Sequence, residues 1–393
     1  MGGAERVMLM LADALIARGH ALDIVLTRRE GYFADALPAG ARVCELGMAS
    51  HPALWRALVR LPGPVARTLA GALAFDKAPK AVRSLPRLVD YLQGERPDAV
   101  LTTLPYNNLT ALWAAALAGE PRRPSVPVVV REASVLSRAH VTKRFDRRLA
   151  DLVGMTYPGA AGIVAISDGV GDDLARITSL SRARITTIYN PIDVARAEAA
   201  AAAPVAEPWL AAGAPPMLLA VGRMTPQKDH ATLLRAFARV IAARPARLVI
   251  LGDGPERGTL DALARSLGID GHVRLVGLVD NPFPYYRHAA VFVLSSAWEG
   301  FGNVLLEALA CGCPVVSTDC PSGPAEILGH GRWGRLAPVG DAEALAACIL
   351  RTLDAPPAAE ALRQRARMFT IDAALDRYLD LLIGDRQERD DTE

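Results

Sequence analysis

Short runs of apolar, largely β-branched residues recur along the whole chain, each separated from the next by a stretch of helical periodicity. In the first half they are ALDIVLT (21–27), RVCEL (42–46), DAVLTT (98–103), PVVVRE (127–132), GIVAIS (162–167) and ITTIYN (185–190). In the second half they are MLLAVG (217–222), RLVILG (247–252), VRLVGL (273–278), VFVLSS (291–296) and PVVSTD (314–319). Runs apolar at every position, rather than at alternate ones, suit strands covered on both faces, the condition of a parallel sheet between helices. The pattern predicts an α/β chain, and 393 residues exceed what one core usually supports, so two doubly wound parallel-sheet domains are expected.

Composition narrows the function. No run reaches the roughly eighteen apolar residues of a membrane span, and LTALWAAALA (109–118) reads as a buried helix. No export signal is recognised, so a cytoplasmic protein is expected, peripheral on the inner face of the membrane if its basic helices engage lipid. Five cysteines, an odd number, argue against a disulfide framework. Cys311 and Cys313 have no histidine nearby to complete a zinc set, so they are read as small core residues and no metal is expected. Basic residues cluster between 50 and 90 (Arg56, Arg60, Arg67, Lys77, Lys80, Arg83, Arg87) and again in RAHVTKRFDRR (138–148). Amphipathic basic helices suit an anionic membrane surface or a phosphate-bearing acceptor, and solvated helix faces account for them equally well. Nucleic acid is not expected, because no aromatic platform or recognition motif accompanies the charge.

The chemistry concentrates in SSAWEGFGNVLLEALACGCPVV, where a strand ends, a Gly-x-Gly turn follows and a helix begins. Asn303 is expected to cap a helix over Val304–Cys311 that Gly312 closes. Gly300 and Gly302 allow close backbone approach, and the helix start gathers free N–H groups and about half a positive charge, a site for diphosphate or sugar oxygens. Glu299 and Glu307 flank it. A capping box would need its Glu at the third helical position, which is Leu306, so Glu307 calls for another role. In VGRMTPQKDHATLLRAF, Arg223 and Lys228 stand at the exit of a strand with Asp229 as N-cap, and two cations there suit a departing diphosphate. Gly252-Asp253-Gly254 reads first as a strand-to-helix connection.

These stretches resemble the retaining glycosyltransferases of family 4, which have the GT-B fold: two Rossmann-like domains facing a cleft. The resemblance rests on GGAERVMLMLADALIARGH, RITTIYNPID, VGRMTPQKD, LVILGDGP, VRLVGLVDN and EGFGNVLLEALACGCPVVSTDCPSGPAEIL, the last with the Glu-x7-Glu spacing. GGAER and DCPSGPAEI look most like the subgroup that extends lipid-linked oligosaccharides and surface polysaccharides. The resemblance implies an acceptor-side domain over 1–194, a connector over 195–216, a nucleotide-sugar domain over 217–367, and at 368–393 a terminal helix crossing back to the first domain with a charged tail.

It further implies transfer of a hexosyl unit, with retention, from a nucleoside diphosphate sugar to a glycan or lipid-linked acceptor. Uridine is the preferred base and guanosine its rival. Arg223 and Lys228 would neutralise the diphosphate without metal, and the chain contains no Asp-x-Asp. Glu299 would lie beside the donor sugar and Glu307 on the ribose. Gly300, Phe301, Gly302 and Asn303 would offer backbone groups, Gly277 and Leu278 would pass the base, and Gly2 and Gly3 would face the diphosphate from the first domain. Where family members often carry histidine this chain has REAS, making Arg131 and Glu132 acceptor-side candidates, with a buried ion pair as the alternative. No cofactor beyond the donor is expected.

Family members reach the Gly2–Gly3 loop from a first buried strand, which this sequence lacks before Met1, so a reading frame that begins farther upstream is expected. Competing readings are a noncatalytic sugar-nucleotide-binding paralogue, an epimerase of similar architecture, and a dehydrogenase. The Glu pair with the Arg/Lys motif disfavours the epimerase, and the lack of Gly-x-Gly-x-x-Gly after the first strand disfavours the dehydrogenase.

Overall fold

In a computed structural model the described residues are 3–29, 36–73, 78–119, 124–138, 147–205, 207, 209 and 213–390. The chain forms two compact units, Met1–Tyr189 with Ile371–Glu393, and Asn190–Thr370. Residues 195–216 therefore belong to the second unit instead of connecting the two. The reason is packing: the helix Val194–Ala201 buries Ala197 and Ala201 and lies against the helices Phe283–His288 and Asn303–Ala310.

In the first unit the strands are β1 (Asp23–Leu26), β2 (Arg42–Glu45), β3 (Val100–Thr103), β4 (Val128–Glu132), β5 (Gly162–Ala165) and β6 (Ile185–Thr187). All described pairings are parallel, in two separate sheets, β1-β2 and β3-β4-β5-β6. β4 and β5 are buried at every position, whereas β1 is half-buried throughout. The helix Gly3–Ala17 packs Val7, Leu11 and Leu15 against Val129, Val164 and Ile188 of the sheet and against Ala374, Leu375 and Tyr378. Those last three belong to the helix Ile371–Asp390, which is part of this unit.

The second unit holds β7 (Met217–Val221), β8 (Arg247–Leu251), β9 (Val273–Gly277), β10 (Val291–Leu294), β11 (Val315–Thr318) and β12 (Arg335–Ala337). They form one parallel sheet in the order β12-β11-β10-β7-β8-β9. Its core joins Leu248, Ile250, Val291 and Val293 of the strands to Leu234, Phe237 and Val240 of the helix His230–Ala243 and to Ile349. All eleven expected strands form, each shorter at its ends than its apolar run. β12 escaped notice because Arg335-Leu336-Ala337 is three residues long and partly exposed. A break separates the helices Ala359–Ala366 and Ile371–Asp390. The break coincides with burial of the Phe369 ring against Phe301, 5.9 Å between centroids, immediately before the chain passes from one unit to the other. No helix among the described residues is long and apolar enough to cross a membrane.

Candidate active site

The carboxyl ends of β7 and β10, adjacent strands, carry the loops that hold the predicted residues. Sequence places these loops about seventy residues apart; the pairing of β7 with β10 brings them together. Hydrogen bonds then stitch one to the other. Ala297 N donates to the Gln227 carbonyl (2.8 Å), Gln227 Nε2 to the Trp298 carbonyl (3.1 Å) and Ser295 Oγ to the Lys228 carbonyl (2.8 Å).

Within this frame the Lys228 ammonium donates to Glu299 Oε1. Glu299 is buried and also accepts from Ser296 Oγ at 2.7 Å, while Thr318 Oγ1 donates to the Ser296 carbonyl at 2.6 Å. A buried carboxylate needs both a cation and further donors to offset lost hydration, and this one has them. Arg223 lies in the same loop with its side chain exposed. Asp229, at φ 44°, is the N-cap as expected, accepting from Thr232 N at 3.2 Å.

The Gly-x-Gly helix starts one residue earlier than expected, at Asn303, and Gly302 is the N-cap with φ 95°. Asn303 cannot then cap. Its Oδ1 instead accepts from Asn190 Nδ2 at 2.8 Å. Gly312, at φ 71°, closes the helix, with Cys313 N donating to the Ala308 carbonyl. Phe301 is buried, its ring against Phe369, and Gly300 is half-buried. Close approach accounts for two further glycines. A Cβ on Gly323 would lie 2.2 Å from the Phe301 carbonyl oxygen, and one on Gly252 would lie 2.1 Å from the Gly222 carbonyl oxygen. Gly252-Asp253-Gly254 is thus packing that seats the Arg223 loop, with Met224 N donating to the Asp253 carbonyl at 3.0 Å.

Glu307 is buried one turn inside the helix, and Tyr286 Oη donates to its Oε2 at 3.0 Å. Tyr286 is fully buried, its ring edge-on to Phe292 at 5.3 Å. Sequence reasoning passed over Tyr286, since an aromatic in an apolar helix reads as core; only its hydroxyl gave a clue, because a buried Tyr hydroxyl generally has a partner. It also passed over His230, which is buried; burial first and Lys228 second push its imidazole down to about 4, against the opposing effect of the Gly222 backbone. Gly277, at φ 94°, ends β9, and Leu278 beside it is 79% exposed.

In the first unit Gly2 lies outside the described residues, and Gly3 begins the helix Gly3–Ala17. Arg131 and Glu132 end β4, both fully buried. Successive strand residues point to opposite faces, so the alternative of an ion pair between them gives way to separate networks. Arg131 Nη1 donates to Thr103 Oγ1 (2.9 Å), and the guanidinium also hydrogen-bonds Tyr378. Glu132 accepts from Tyr157 Oη (3.1 Å), Ser134 Oγ (3.0 Å) and Ala133 N (3.2 Å). Burial outweighs these neutral donors and pushes its carboxyl up to about 7. Most of the basic run 138–148 lies outside the described residues.

Known proteins agree with this architecture. The model of Glycosyltransferase Family 4 matches residues 1–196, and that of Glycosyl transferases group 1 matches 215–355. The N-acetylgalactosamine-N,N'-diacetylbacillosaminyl-diphospho-undecaprenol 4-alpha-N-acetylgalactosaminyltransferase of Campylobacter jejuni is 31% identical over 66% of this chain and 68% of its own length. The lipopolysaccharide core biosynthesis glycosyltransferase LpsE of Rhizobium meliloti is 37% identical over 42% of this chain and 49% of its own. Among solved structures, Anabaena HepE in complex with UDP and glucose superposes with a TM-score of 0.75 at 19% identity, over 97% of this chain and 96% of that one. The lipopolysaccharide outer core galactosyltransferase WaaB gives 0.70 at 19% identity, over 98% and 96%. These likenesses establish the GT-B fold. With both halves matched by family models and a relative aligned over two thirds of its length, the chain belongs to glycosyltransferase family 4 and is a glycosyltransferase.

Proposed function

We propose that this enzyme moves a hexosyl unit, with retention, from a UDP-sugar to a hydroxyl of a glycan or lipid-linked acceptor in polysaccharide or glycoconjugate assembly, GDP-sugars being the rival donors. It would work in the cytoplasm, peripherally at the inner face of the membrane, where basic helices between 50 and 90 meet anionic lipid. The observation that carries the reading is the buried Lys228–Glu299 pair beside the Gly300–Asn303 loop at the carboxyl edge of a parallel sheet. Ligands bind open α/β sheets at that edge.

In this reading Arg223 and Lys228 hold the leaving diphosphate. Their charge is worth most as the bond from the anomeric carbon to the phosphate oxygen breaks, because negative charge then accumulates on that oxygen. The acceptor hydroxyl attacks from the same face, its oxygen bonding to the anomeric carbon while its proton passes to the departing phosphate oxygen. Glu299, fixed by Ser296 and Lys228, accepts from hydroxyls of the donor sugar; Glu307, fixed by Tyr286, accepts from the ribose. Gly277 and Leu278 flank the base, and the helix start at Asn303 presents N–H groups to the phosphates. Arg131 and Glu132 serve the acceptor side, and Gly2 and Gly3 serve the donor diphosphate. The donor subgroup preference is supported by the resemblance to lipid-linked oligosaccharide enzymes and by the relatives' names. A panel of nucleotide sugars assayed for released diphosphate, with membrane extract as acceptor, tests it. UDP-sugars should turn over, and release from GDP-sugars alone would overturn the choice of base.

A further inference from the structure

The edge of the first unit's sheet opposite Arg131 and Glu132 carries a second feature. A groove of about 500 Å³ opens beside the amino ends of β4 and β5, walled by Leu61, Val65, Leu112, Trp113, Val126 and Met155 among others. No charged side chain among the described residues lines it. Its two polar side-chain groups satisfy each other, Trp113 Nε1 donating to Thr156 Oγ1 at 3.1 Å. Most of its lining is apolar side chain, and the volume lies in the range of small-molecule pockets. The occupant it fits is hydrocarbon.

The surroundings say what the hydrocarbon is attached to. Six large apolar side chains are exposed among the described residues; one, Met155 (38%), is a wall residue, and two, Trp55 (39%) and Val59 (69%), lie in the segment that leads into Leu61 of the wall. Trp55 and Val59 are four apart, as are Arg56 and Arg60, so the exposed side of the segment 51–60 interleaves an aromatic and an aliphatic side chain with two cations. Val59 and Arg60 lead directly into Leu61 of the wall. Arg60 Nη2 reaches the Leu117 carbonyl (3.4 Å), at the end of the helix whose Leu112 and Trp113 form the opposite wall. Arg67, exposed, stands on the helix that contributes Val65. Apolar side chains exposed beside cations suit the boundary between headgroups and acyl chains.

We propose that this groove takes an acyl chain of an anionic membrane lipid, with the lipid phosphate on Arg56 and Arg60. The proposal rests on the reading of the enzyme as peripheral to a membrane and gives that contact a specific site. It places the contact at the opposite sheet edge from the acceptor-side candidates, so the lipid is an anchor and not the glycosyl acceptor.

Vesicle experiments on the full chain test it. Phosphatidylcholine vesicles with phosphatidylglycerol should bind at least about tenfold more tightly than phosphatidylcholine alone, and Arg56→Glu with Arg60→Glu should remove that preference. Vesicles whose acyl chains carry bromine should quench tryptophan emission, because Trp113 lines the groove. Ala116→Phe, an exposed groove position, should fill it: low-salt sedimentation on anionic vesicles persists while most of the quenching is lost. Unchanged quenching in Ala116→Phe overturns the groove as the chain's site. Equal binding to neutral vesicles overturns the anionic headgroup. Binding to an unrelated soluble partner in place of vesicles also overturns it. Diphosphate release with a water-soluble acceptor is measured in parallel and should be the same in Ala116→Phe as in the native chain. If the native chain releases none, the transferase reading of the site fails independently of the groove.

Discussion

At the carboxyl edge of the second unit Glu299 is buried against the Lys228 ammonium and a serine hydroxyl; at the carboxyl edge of the first, Glu132 is buried against a phenol, a hydroxyl and a backbone N–H. The frames around them differ too. One sheet is continuous across six strands, with the loops of β7 and β10 hydrogen-bonded together, while the other divides into β1-β2 and β3-β4-β5-β6. The lesson is that burial alone does not decide what a carboxylate can do. Glu299 has the Lys228 ammonium as a hydrogen-bonded cation, whereas Glu132 has only neutral donors, and burial pushes its carboxyl up to about 7.

The sharpest way to break this comparison is to remove the cation. Lys228→Met leaves Glu299 buried and unpaired, and should lower turnover by roughly 10²–10³-fold with a smaller loss of donor affinity. Unfolding should also cost about 3 kcal/mol less, the lower end for stranding one partner of a buried pair. Single-turnover kinetics with donor titration check it; equal losses in kcat and affinity would reduce Lys228 to ground-state binding.

Next in size are opposite pH responses. Glu132 is raised from 4.5 to about 7, so the folded state holds its proton more tightly than the unfolded state. Its contribution is complete below pH 4.5 and is lost as pH rises through 7, about 3 kcal/mol in all. His230 is lowered from 6.5 to about 4, so the unfolded state binds the proton more tightly. Its contribution is complete above pH 6.5 and is lost as pH falls towards 4. Hydrogen exchange followed unit by unit against pH should show the first unit loosening towards pH 7 and the second towards pH 4. Glu132→Gln should flatten the first response only; a persisting slope would assign it to another group.

A smaller effect is expected from Tyr286→Phe, which removes one hydrogen bond to the Glu307 carboxylate and nothing from the packing. Donor affinity should fall about tenfold, with kcat changed less, as measured by calorimetry and steady-state kinetics. Retained affinity would make Tyr286 a core residue alone. The least demanding contrast concerns backbone. Amides of half-buried β1 should exchange faster than those of β10, whose neighbours β7 and β11 pair on both sides.

Much of this was legible in the chain itself. Valine- and isoleucine-rich runs named eleven strands, because a strand buried on both faces must be apolar at every position. Asp229 was legible as a cap because capping is a contact between residues three apart, and Gly312 as a helix end because its left-handed φ is costly for other residues. Local rules also misled. Asn303 is a good cap by type, but Gly302 takes that position and Asn303 bonds to Asn190, 113 residues away. The alanine-rich stretch from 195 looked like a linker because small residues show no stripe, yet small residues are what let that helix lie close against its neighbours.

The sequence by itself determined which segments become strands and helices, where the glycine turns lie, and that cations and acids gather at strand ends. These follow from contacts within a few residues and from periodic burial, which any stretch of chain carries in its own composition. Tertiary structure alone decided that Lys228 meets Glu299, that Tyr286 supports Glu307, that Arg131 and Glu132 part to opposite faces of β4, and that the helix Ile371–Asp390 packs on Gly3–Ala17. Those pairings depend on strand order, above all β10 lying beside β7, and strand order is set by the global burial of both sheet faces, which no local window contains.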